Sequence, residues 1–351
     1  MRETSAFKHE KTKWTRAPRL MSFMTLFLMM GSFMLIFCSS SLKVSWPLNF
    51  WTSSGPSQSD LHMTTSVGTI SPANPSASEF FVEYPGKYSF ILDEPNRCQQ
   101  ESPFLVLMTP VAPQNREARD VIRNTWGTET TVLGQMVSHY FLLGLSKVED
   151  RAEPIKEQVL QESQRHHDIL LSNFLDTYNN LTIKTMLMFE WLISHCPNTS
   201  YAMKVDSDMF LNVHNLVDML LKAPRHLYMT GVVERGAAVL RDHNSKWYMP
   251  VSVFPESRYP PYALGMGYVF SLDLPQRILG ASAHIKAVYI EDVYVGLCMR
   301  HIGISLTDPP HGGLFRVKIP HPTSNCYWTS VITTILQNSK QLSRVWGTSG
   351  C

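Results

Sequence analysis

The pattern of apolar and polar positions divides residues 98–351 into short apolar runs that alternate with longer amphipathic segments. Short apolar runs are typical of buried strands, and apolar positions spaced three or four apart are typical of helices. The predicted strands are Pro103–Thr109, Met136–Leu143, Asp168–Leu171 and Tyr201–Val205. The predicted helices are Asn115–Trp126, Ala152–His166 and Thr177–Ser194. This alternation predicts an α/β fold with a largely parallel sheet and helices on both faces, in which ligands bind beyond the carboxyl ends of the strands.

The N-terminal pattern predicts a membrane anchor. Leu20–Cys38 contains 19 residues without a charged side chain, which at about 1.5 Å per residue nearly spans a hydrocarbon core of about 30 Å. Residues 1–19 carry six Lys or Arg against two Glu, so the positive-inside rule predicts a cytoplasmic tail and a luminal remainder. A cleaved signal peptide is the alternative, although the apolar run is long for one and SSSL at 39–42 is a poor cleavage site.

Residues 39–97 have a different pattern. They are rich in Ser, Pro and Thr and show no sustained helical or strand period. Such a segment buries too little apolar surface to fold alone, so it predicts a luminal stem that spaces the domain from the membrane. Residues 98–351 then form the luminal domain, with a length that suits one large domain or a closely joined pair.

Composition and charge narrow the class of partner. The chain is 44% hydrophobic with a formal net charge of +2, which is typical of a globular protein without a large electrostatic bias. We therefore expect no nucleic-acid partner, and any anionic ligand must meet a local cluster of charge.

Cysteines and glycosylation sequons agree with a luminal domain. Asn180 and Asn198 each begin a sequon for N-glycosylation. Cys98 precedes the first predicted strand and Cys196 ends the long helix before the fourth strand, so we predict a Cys98–Cys196 disulfide. The remaining luminal cysteines leave an odd number and an open pairing, and they are Cys298, Cys326 and Cys351. No C-x-x-C pair is present, and a zinc site is not expected.

Two carboxylates follow the fourth predicted strand in the segment KVDSDMFLN (204–212). Asp206 and Asp208 lie one residue apart, so a period of two sends both side chains to the same side at the ligand-binding edge of the sheet. Hard carboxylate oxygens, together with phosphate oxygens, are ligands for Mn²⁺ or Mg²⁺. The alternative is a solvated turn, since D-x-D is frequent by chance.

Two later segments carry further candidate chemistry. YPPYALGMGYVFS (259–271) combines a rigid Pro-Pro with Gly265 and Gly267, which allow close approach of the backbone to a ligand, or form a simple turn. HIKAVYIEDVYVGLCM (284–299) places Glu291 and Asp292 after an apolar run. A carboxylate beside a sugar pocket acts as a general base on a hydroxyl. The alternative is a helix N-terminal acid that the helix dipole stabilises.

Taken in order, seven blocks resemble glycosyltransferase family 31, the β-1,3-galactosyltransferase and β-1,3-N-acetylglucosaminyltransferase group. The blocks span roughly residues 98–346 and are REARDVIRNTWG (116–127), FLLGLS (141–146), LDTYNNLTIKT (175–185), KVDSDMFLN, SKWYMP (245–250), YPPYALGMGYVFS and EDVYVG (291–296). DSDMF and SKWYMP are closer to the galactosyltransferase branch, because the central motif of the other branch more often has three consecutive Asp.

The resemblance implies a fold, a reaction and a location. Members have a GT-A type, Rossmann-like mixed sheet flanked by helices, preceded here by a single transmembrane helix and a stem. They are single-pass type II proteins of the Golgi membrane with a luminal catalytic domain. The implied reaction moves galactose from UDP-galactose to the 3-hydroxyl of a terminal GlcNAc or GalNAc on a glycoprotein or glycolipid, with inversion. Mn²⁺ is the implied cofactor, with Mg²⁺ as an alternative. The resemblance leaves open whether the protein forms homo-oligomers or hetero-oligomers with other glycosyltransferases.

The resemblance also implies roles for the acidic residues. Asp208 would bind the metal, and Asp206 would bind the ribose, the metal or a metal-bound water. Asp292 would be the base that takes a proton from the acceptor 3-hydroxyl, while Glu291 would hold the acceptor.

Donor and acceptor contacts follow from the same blocks. On the donor side, Arg119 and Arg123 lie four apart on one helix face and would meet the nucleotide, with Lys184 contributing charge and Gly265 and Gly267 giving close approach. On the acceptor side, the implied residues are Trp247, Tyr248 and Tyr262. For the first two of these, core packing is the alternative.

Three positions depart from the family pattern. Ala263 replaces a Cys that would be a mate for Cys298, and Asp120 stands where relatives often have Arg or Lys. Ile335 stands where the family has a His that we would expect to ligate the metal. An active galactosyltransferase is therefore the main hypothesis. The alternatives are a catalytically weak or inactive member that binds a glycan, a nucleotide sugar or a partner enzyme, and a β-1,3-N-acetylglucosaminyltransferase.

Overall fold

A computed structural model of the chain describes residues 77–146, 149–321, 323–324 and 326–346, and in this part the strands lie in two sheets. The strands are β1 (Phe90–Leu92), β2 (Leu105–Pro110), β3 (Thr131–Val132), β4 (Gln135–Leu145), β5 (Ile169–Leu175), β6 (Tyr201–Val205), β7 (Met209–Leu211), β8 (Met229–Glu234), β9 (Tyr262–Ser271), β10 (Phe315–Arg316) and β11 (Thr333–Ile335). The helices are α1 (Arg97–Glu101), α2 (Arg116–Arg123), α3 (Glu149–His166), α4 (Leu181–His195), α5 (Val213–Leu221), α6 (Leu274–Ser282), α7 (Glu291–His301), α8 (Cys326–Ser330) and α9 (Ser339–Trp346).

The larger sheet is mixed, with the order β1-β5-β4-β2-β6-β9-β8 and β3 paired to β4. Its centre is parallel, because β5, β4, β2 and β6 run in the same direction. β9 and β8 then add antiparallel strands on one side, and β1 adds one on the other. A small second sheet has the order β10-β11-β7. The parallel centre gathers the carboxyl ends of four strands at one edge, where ligands bind in such sheets.

Helices cover both faces of the larger sheet, as the sequence predicts. On β2, Val106 and Met108 belong to one apolar core, which contains buried residues of α4, α6 and α7. Leu105 and Leu107 belong to the other core, with residues of α2, α5 and α9. All four are nearly inaccessible to solvent. Successive side chains of a strand point to opposite faces, so a continuous apolar run is required for a strand buried on both sides.

Most predicted elements occur with shifted ends. The fourth predicted strand, Tyr201–Val205, has the observed bounds, whereas the third extends to Leu175. The helix predicted over Asn115–Trp126 ends at Arg123, with Asn115 as its cap through a bond from the Ala118 N–H at 3.2 Å. Trp126 lies in a short 3-10 turn instead. Its buried ring nitrogen donates to the carbonyl of Met209 at 3.2 Å and so ties this turn to β7.

The folded region begins before Cys98, inside the range predicted as stem. Phe90–Leu92 pairs with β5 as an edge strand, and Phe81 forms a bridge with Val288. The Tyr84 hydroxyl donates to Glu190 at 2.6 Å, and its side chain is buried in the core. The stem boundary at residue 97 is therefore placed too late, because scattered apolar residues in a polar stretch find partners on distant elements.

The predicted membrane anchor, Leu20–Cys38, lies outside the described residues, as does the stem up to residue 76. Among the residues that are described, no helix combines the length and the apolar character that crossing a bilayer requires.

The predicted disulfide is present, and it joins Cys98 to Cys196 across a sequence separation of 98 residues. It connects α1 to the end of α4, with both cysteines buried. Cys298 is a free and buried thiol.

Removal of this cross-link is expected to destabilise the fold. Replacement of Cys98 and Cys196 by Ser should lower the free energy of unfolding by about 2–5 kcal/mol, because the bond closes a long loop in the unfolded chain. Denaturant unfolding of the oxidised wild type and double variant measures the loss. Cys298→Ala is the control, since it removes a buried thiol but no cross-link and should lose less. Equal midpoints for wild type and the double variant would contradict the expectation.

Candidate active site

A cleft opens at the carboxyl ends of the parallel strands. Its walls come from the segments that follow β2, β5 and β6, and from the C-terminal residues before α9. Among the residues that line it are Val111, Asp176, Tyr178, Lys184, Asp206 and Asp208. The position agrees with the binding edge that the sequence predicts for a parallel sheet.

Asp206 and Asp208 lie in the turn that joins β6 to β7. The Asp206 N–H donates to the carbonyl of Met266 at 3.0 Å, and the Asp208 carbonyl accepts from the N–H of Leu336 at 2.9 Å. These backbone bonds fix the turn between β9 on one side and β11 on the other. The side chain of Asp208 is exposed in the cleft, and Asp206 is 39% exposed. Both carboxylates therefore reach the cleft, although a turn rather than strand alternation directs them.

The pKa of the Asp208 carboxyl is raised above its ordinary value. Reduced hydration within the cleft is the main cause, and the negative charge of Asp206 adds to it. A cation bound beside these two groups would relieve the repulsion, since an opposite charge favours the ionised form.

Glu291 and Asp292 occupy the first turn of α7, beside β9. Asp292 accepts from the N–H of Gly265 at 2.9 Å and from its neighbour Val293 at 2.9 Å. Glu291 accepts from the hydroxyl of Tyr268 at 2.7 Å. Burial raises the pKa of both carboxyls, while the charge of Lys204 opposes the increase. Their place at a helix N-terminus matches the alternative interpretation from the sequence, and their burial beside β9 also makes them candidates for chemistry.

Lys204 connects the two pairs of carboxylates, and the sequence analysis did not select it. Its ammonium lies 2.9 Å from Asp206 Oδ1 and 3.5 Å from Glu291 Oε2, and it donates to the carbonyl of Gly265. Burial lowers the pKa of this lysine, but the neighbouring carboxylates outweigh burial and hold the pKa above its ordinary value. The available signal was a lone lysine in the apolar strand YAMKV, where a buried charge needs a partner.

The two predicted glycines make room for protein groups. A Cβ on Gly265 would lie 2.9 Å from Glu291 Oε2 and 3.4 Å from Asp292 Oδ2. Gly267 pairs with Val205 in the sheet, and a Cβ there would lie 3.2 Å from the terminal methyl of Met203. The close approach that these glycines permit is therefore to the carboxylates and the sheet itself.

Lys184 lies in the wall of the cleft, as predicted for the donor side. Its ammonium donates to Asp176 Oδ2 at 2.7 Å and to the carbonyl of Val111 at 3.0 Å. Burial lowers its pKa, and the charge of Asp176 opposes this change. Asp176, which the sequence analysis missed, also accepts from the N–H of Gly144 at 2.9 Å. Together these bonds tie the segments after β2 and β5 to the end of β4.

The two predicted arginines are not among the residues that line the cleft. Arg119 is buried and makes two bonds to Glu162, at 2.8 and 2.6 Å, with further bonds to the carbonyls of residues 112 and 113. Arg123 makes two bonds to Asp168, each of 2.8 Å, and also contacts Glu162 at 2.7 Å. Their guanidinium groups are thus occupied by acids from other elements, and the structure assigns them to an ion-pair network behind the cleft. Arg119 still supports the segment after β2 from behind.

The three predicted acceptor residues have different surroundings. Trp247 is 46% exposed, so it is not a core residue, and the ammonium of Lys246 lies 4.4 Å from its ring centroid. Tyr262 packs against α7 one turn after Asp292, since a Cβ on Gly296 would lie 2.7 Å from the Tyr262 Cβ. Burial and the charge of Asp292 raise the pKa of this phenol to about 12. Tyr248 instead packs its ring against His243, with centroids 4.1 Å apart.

The two sequons differ in their surroundings. Asn198 is exposed in the loop before β6. Asn180 is half-buried at the start of α4, and its side-chain amide donates to the carbonyl of Leu175 at 2.9 Å. Asn198 therefore offers the more accessible amide.

Comparison with known proteins shows the family to which the chain belongs. A family profile described as galactosyltransferase matches residues 117–310. The chain is 42% identical over 272 residues to "Beta-1,3-galactosyltransferase 2" of Pongo abelii, a match that covers 75% of this chain and 63% of the relative. It is 38% identical over 325 residues to the Mus musculus protein of the same name, covering 88% of this chain and 75% of the relative. The chain belongs to the galactosyltransferase family.

The chain is also similar to a second β-1,3-galactosyltransferase. "Beta-1,3-galactosyltransferase 1" of Mus musculus is 40% identical over 266 residues, which covers 75% of this chain and 78% of the relative. The resemblance of the seven sequence blocks to the β-1,3-galactosyltransferase branch is therefore confirmed.

The departures from the family pattern now have structural positions in this galactosyltransferase. Ala263 is buried on β9, and Cys298 is a buried free thiol on α7. Asp120 pairs with Arg123 at 2.8 Å, on α2 behind the cleft. Ile335 ends β11, where it pairs with Met209, the residue directly after Asp208. The position at which the family resemblance implies a His is thus next to the carboxylate turn, and in this chain it carries an apolar side chain.

Proposed function

We propose that the protein is an inverting β-1,3-galactosyltransferase with a GT-A type fold that moves galactose from UDP-galactose to the 3-hydroxyl of a terminal sugar, GlcNAc or GalNAc. The observation that carries the proposal is the meeting of two carboxylate pairs, Asp206 with Asp208 and Glu291 with Asp292, at the edge of the parallel sheet. One pair faces the cleft and the other lies in the first turn of α7. Family relatives named as β-1,3-galactosyltransferases support the choice of donor and linkage.

Residues on the donor side would hold the nucleotide sugar. Lys184 and the segment after β2 form one wall, and the N-termini of α2 and α9 border the same cleft through Asn115 and Ser339. Free N–H groups and positive dipole ends at helix N-termini favour anionic groups such as a diphosphate. The diphosphate would therefore lie between these termini and the carboxylate turn.

The residues present fit a divalent cation in part. The exposed Asp208 and the solvent-facing oxygen of Asp206 would hold it, and both are hard oxygen ligands suited to Mn²⁺ or Mg²⁺. When bound, the ion would neutralise charge on the diphosphate leaving group. Within the described ranges, no group of three or more His, Cys, Asp and Glu side chains is arranged to hold a metal. The protein would thus supply two ligands, and Ile335 would supply none.

Asp292 would act as the general base. Its carboxylate is oriented by the Gly265 N–H, and its negative form is the one that accepts a proton. The acceptor 3-hydroxyl would donate its proton to Asp292 as its oxygen attacks the anomeric carbon of galactose. The bond from that carbon to the diphosphate would break, and UDP would leave. Attack from the side opposite to the leaving group inverts the anomeric centre.

The acceptor sugar would lie against Trp247 and Tyr262, with Glu291 as a hydrogen-bond acceptor for its hydroxyls. An exposed tryptophan beside charged groups offers an apolar face to a sugar ring. We also propose that the enzyme works in the Golgi lumen, held as a type II membrane protein by Leu20–Cys38. Asn198 is then the sequon that we expect to be glycosylated.

The test is a transfer assay with the full-length protein. UDP-galactose is offered with GlcNAc- and GalNAc-terminated acceptors, with Mn²⁺, with Mg²⁺ and with chelator, and UDP-GlcNAc is offered as the competing donor. Transfer of galactose in a β-1,3 linkage is the expected result. Preference for UDP-GlcNAc would change the donor, and UDP binding without hydrolysis or transfer would favour the non-catalytic alternative.

The Ile335 position predicts an unusual response to metal. Without the His that the family resemblance implies at this position, the enzyme should need high Mn²⁺ or respond nearly as well to Mg²⁺, because an imidazole favours the transition ion over Mg²⁺. Ile335→His is expected to lower the Mn²⁺ concentration that gives half-maximal turnover. A Mn²⁺ titration of wild type and variant measures it.

The control for this titration is His321→Ala, which removes an exposed histidine outside the cleft lining. It should leave the titration unchanged. If His321→Ala abolishes activity while Ile335→His has no effect, His321 rather than water completes the metal site. His311, another histidine before α8, lines a different cavity.

A further inference from the structure

We propose that Lys204 is a positioning residue that holds the acceptor-side carboxylates, Glu291 and Asp292, in register with the donor-side carboxylate Asp206. The inference rests on the proposed function, in which Asp292 is the base. It assigns to this lysine a role on the acceptor half of the reaction, although Lys204 lies in the same motif as the donor-side residues.

The ammonium of Lys204 has two hydrogen-bond acceptors and one further carboxylate partner. It lies 2.9 Å from Asp206 Oδ1, and it donates to the carbonyl of Gly265. Its third neighbour is Glu291 Oε2, at 3.5 Å. The side chain is 4% exposed, so water does not replace these partners. A buried ammonium with this set of acceptors has little freedom, and it draws together groups from β6, β9 and α7.

The Gly265 peptide group transmits this constraint to the base. Its carbonyl accepts from Lys204, while its N–H donates to Asp292 Oδ2 at 2.9 Å. Lys204 therefore acts on Asp292 through a glycine without touching it. The space between Gly265 and α7 is filled, because a Cβ on Gly265 would lie 2.9 Å from Glu291 Oε2. A shift of the Gly265 backbone would thus move both acidic side chains of α7.

Both carboxylate oxygens of Glu291 have a partner. Tyr268, which lies on β9 with Gly265, donates its hydroxyl to Oε1 at 2.7 Å, and Lys204 faces Oε2. Without the ammonium, Glu291, Asp292 and Asp206 would remain close together, and Glu291 would lose the lysine that pairs with it among the described residues. Like charges in a buried site repel, and the α7 carboxylates would move away from their present positions. A misplacement of about 1 Å in a catalytic group costs about 10²-fold in rate.

Lys184 provides a matched control within the same cleft. It is also a buried lysine, 2% exposed, with its ammonium bonded to a carboxylate and a backbone carbonyl. Its partners are Asp176 and Val111, on the donor wall, and it has no hydrogen bond or ion pair to Glu291 or Asp292. Replacement of either lysine removes one buried charge, but only Lys204 touches the Gly265 peptide.

The kinetic test compares Lys204→Met with Lys184→Met in the full-length protein. Lys204→Met is expected to lower kcat by about 10²-fold and to change the Kd for UDP by less than about tenfold. Lys184→Met is expected to do the reverse, with weaker UDP binding and a smaller loss of kcat at saturating donor. A Lys204→Met enzyme with wild-type kcat and weakened UDP binding would overturn the proposal, because it would place the lysine on the donor side alone.

A second measurement does not depend on activity. Amide hydrogen exchange followed by mass spectrometry reports on residues 262–271, which contain the Gly265 N–H bonded to Asp292. Faster exchange there is expected in Lys204→Met and not in Lys184→Met, with residues 105–110 as the internal reference for global stability. Unchanged exchange at Gly265 would overturn the positioning role. If the wild type transfers no galactose, the proposed function fails, yet this comparison still decides whether Lys204 holds the Gly265 peptide.

Gly265→Ala covers the case in which Lys204→Met does not fold. This variant keeps the lysine and crowds Glu291 and Asp292 through the added methyl group. It is expected to show the same signature, a loss of kcat with UDP binding retained. A Gly265→Ala enzyme with wild-type kcat would show that the position of the α7 carboxylates does not depend on this peptide, and would overturn the proposal.

Discussion

Replacement of Asp292 by Asn is expected to lower turnover by at least about 10²-fold and to leave UDP binding intact. The amide keeps the shape of the side chain and one oxygen for the Gly265 N–H, but it cannot accept the proton of the acceptor hydroxyl. Single-turnover transfer and UDP binding by calorimetry separate the two effects. Undiminished turnover would move the base to Glu291 or to another group.

The pH dependence gives a second check on the same residue. Burial raises the pKa of Asp292 above the ordinary value of 3.8. In the proposed mechanism, the ionised form would be the active base. Activity should therefore fall as pH decreases through the raised pKa, at a higher pH than an exposed aspartate would give. The Asp292→Asn enzyme should lack this acid limb in its residual kcat/KM. Asp308→Asn, at an exposed ion pair with Arg235, is the matched control and should keep the wild-type profile.

Replacement of Asp208 by Asn is expected to abolish metal-dependent UDP binding and turnover together. The variant removes one of only two protein carboxylates that face the cleft from the β6–β7 turn, and the neutral amide is a weak ligand for a hard cation. The expected loss is large, because Ile335 contributes no third ligand. Calorimetric titration with UDP in the presence and absence of Mn²⁺ measures the effect.

The control for Asp208 is Asp218→Asn, since Asp218 is an exposed carboxylate paired with Lys222 on α5. It should bind UDP as the wild type does. Wild-type UDP affinity in Asp208→Asn, with Mn²⁺ dependence retained, would contradict the metal assignment and leave Asp208 as a structural residue of the turn.

The two experiments together distinguish the donor side from the acceptor side. Loss at Asp208 should appear in binding, whereas loss at Asp292 should appear in the rate after binding. An enzyme in which both variants lose UDP affinity would instead have a single, shared carboxylate site.

Several features of the fold could be predicted from the sequence because they depend on local pattern. The apolar runs predicted β2, β4, β5 and β6, since a strand buried on both faces has no polar alternation. The position of Asp206 and Asp208 after such a strand placed them at the binding edge. Helix ends were less accurate, as at Arg123, because a cap depends on a single side-chain bond.

Other features depended on partners that are distant in the chain. The spacing of Arg119 and Arg123 predicted that both lie on one helix face. It could not show that their guanidinium groups form ion pairs with Glu162 and Asp168. The same limit applies to the stem boundary, where Tyr84 is buried through contacts with α4.

The sequence by itself determined the alternation of strands and helices, the family, and the residue types needed for metal and base chemistry. These follow from periodic burial and from motifs that are contiguous in the chain. Only the tertiary structure decided which charges meet: Lys204 on β6 joins Asp206 in the following turn to Glu291 on α7, and it also bonds the Gly265 carbonyl. The reason is that partner choice depends on how β9 pairs with β6 and how α7 packs on β9, and no local pattern of residues encodes those distances.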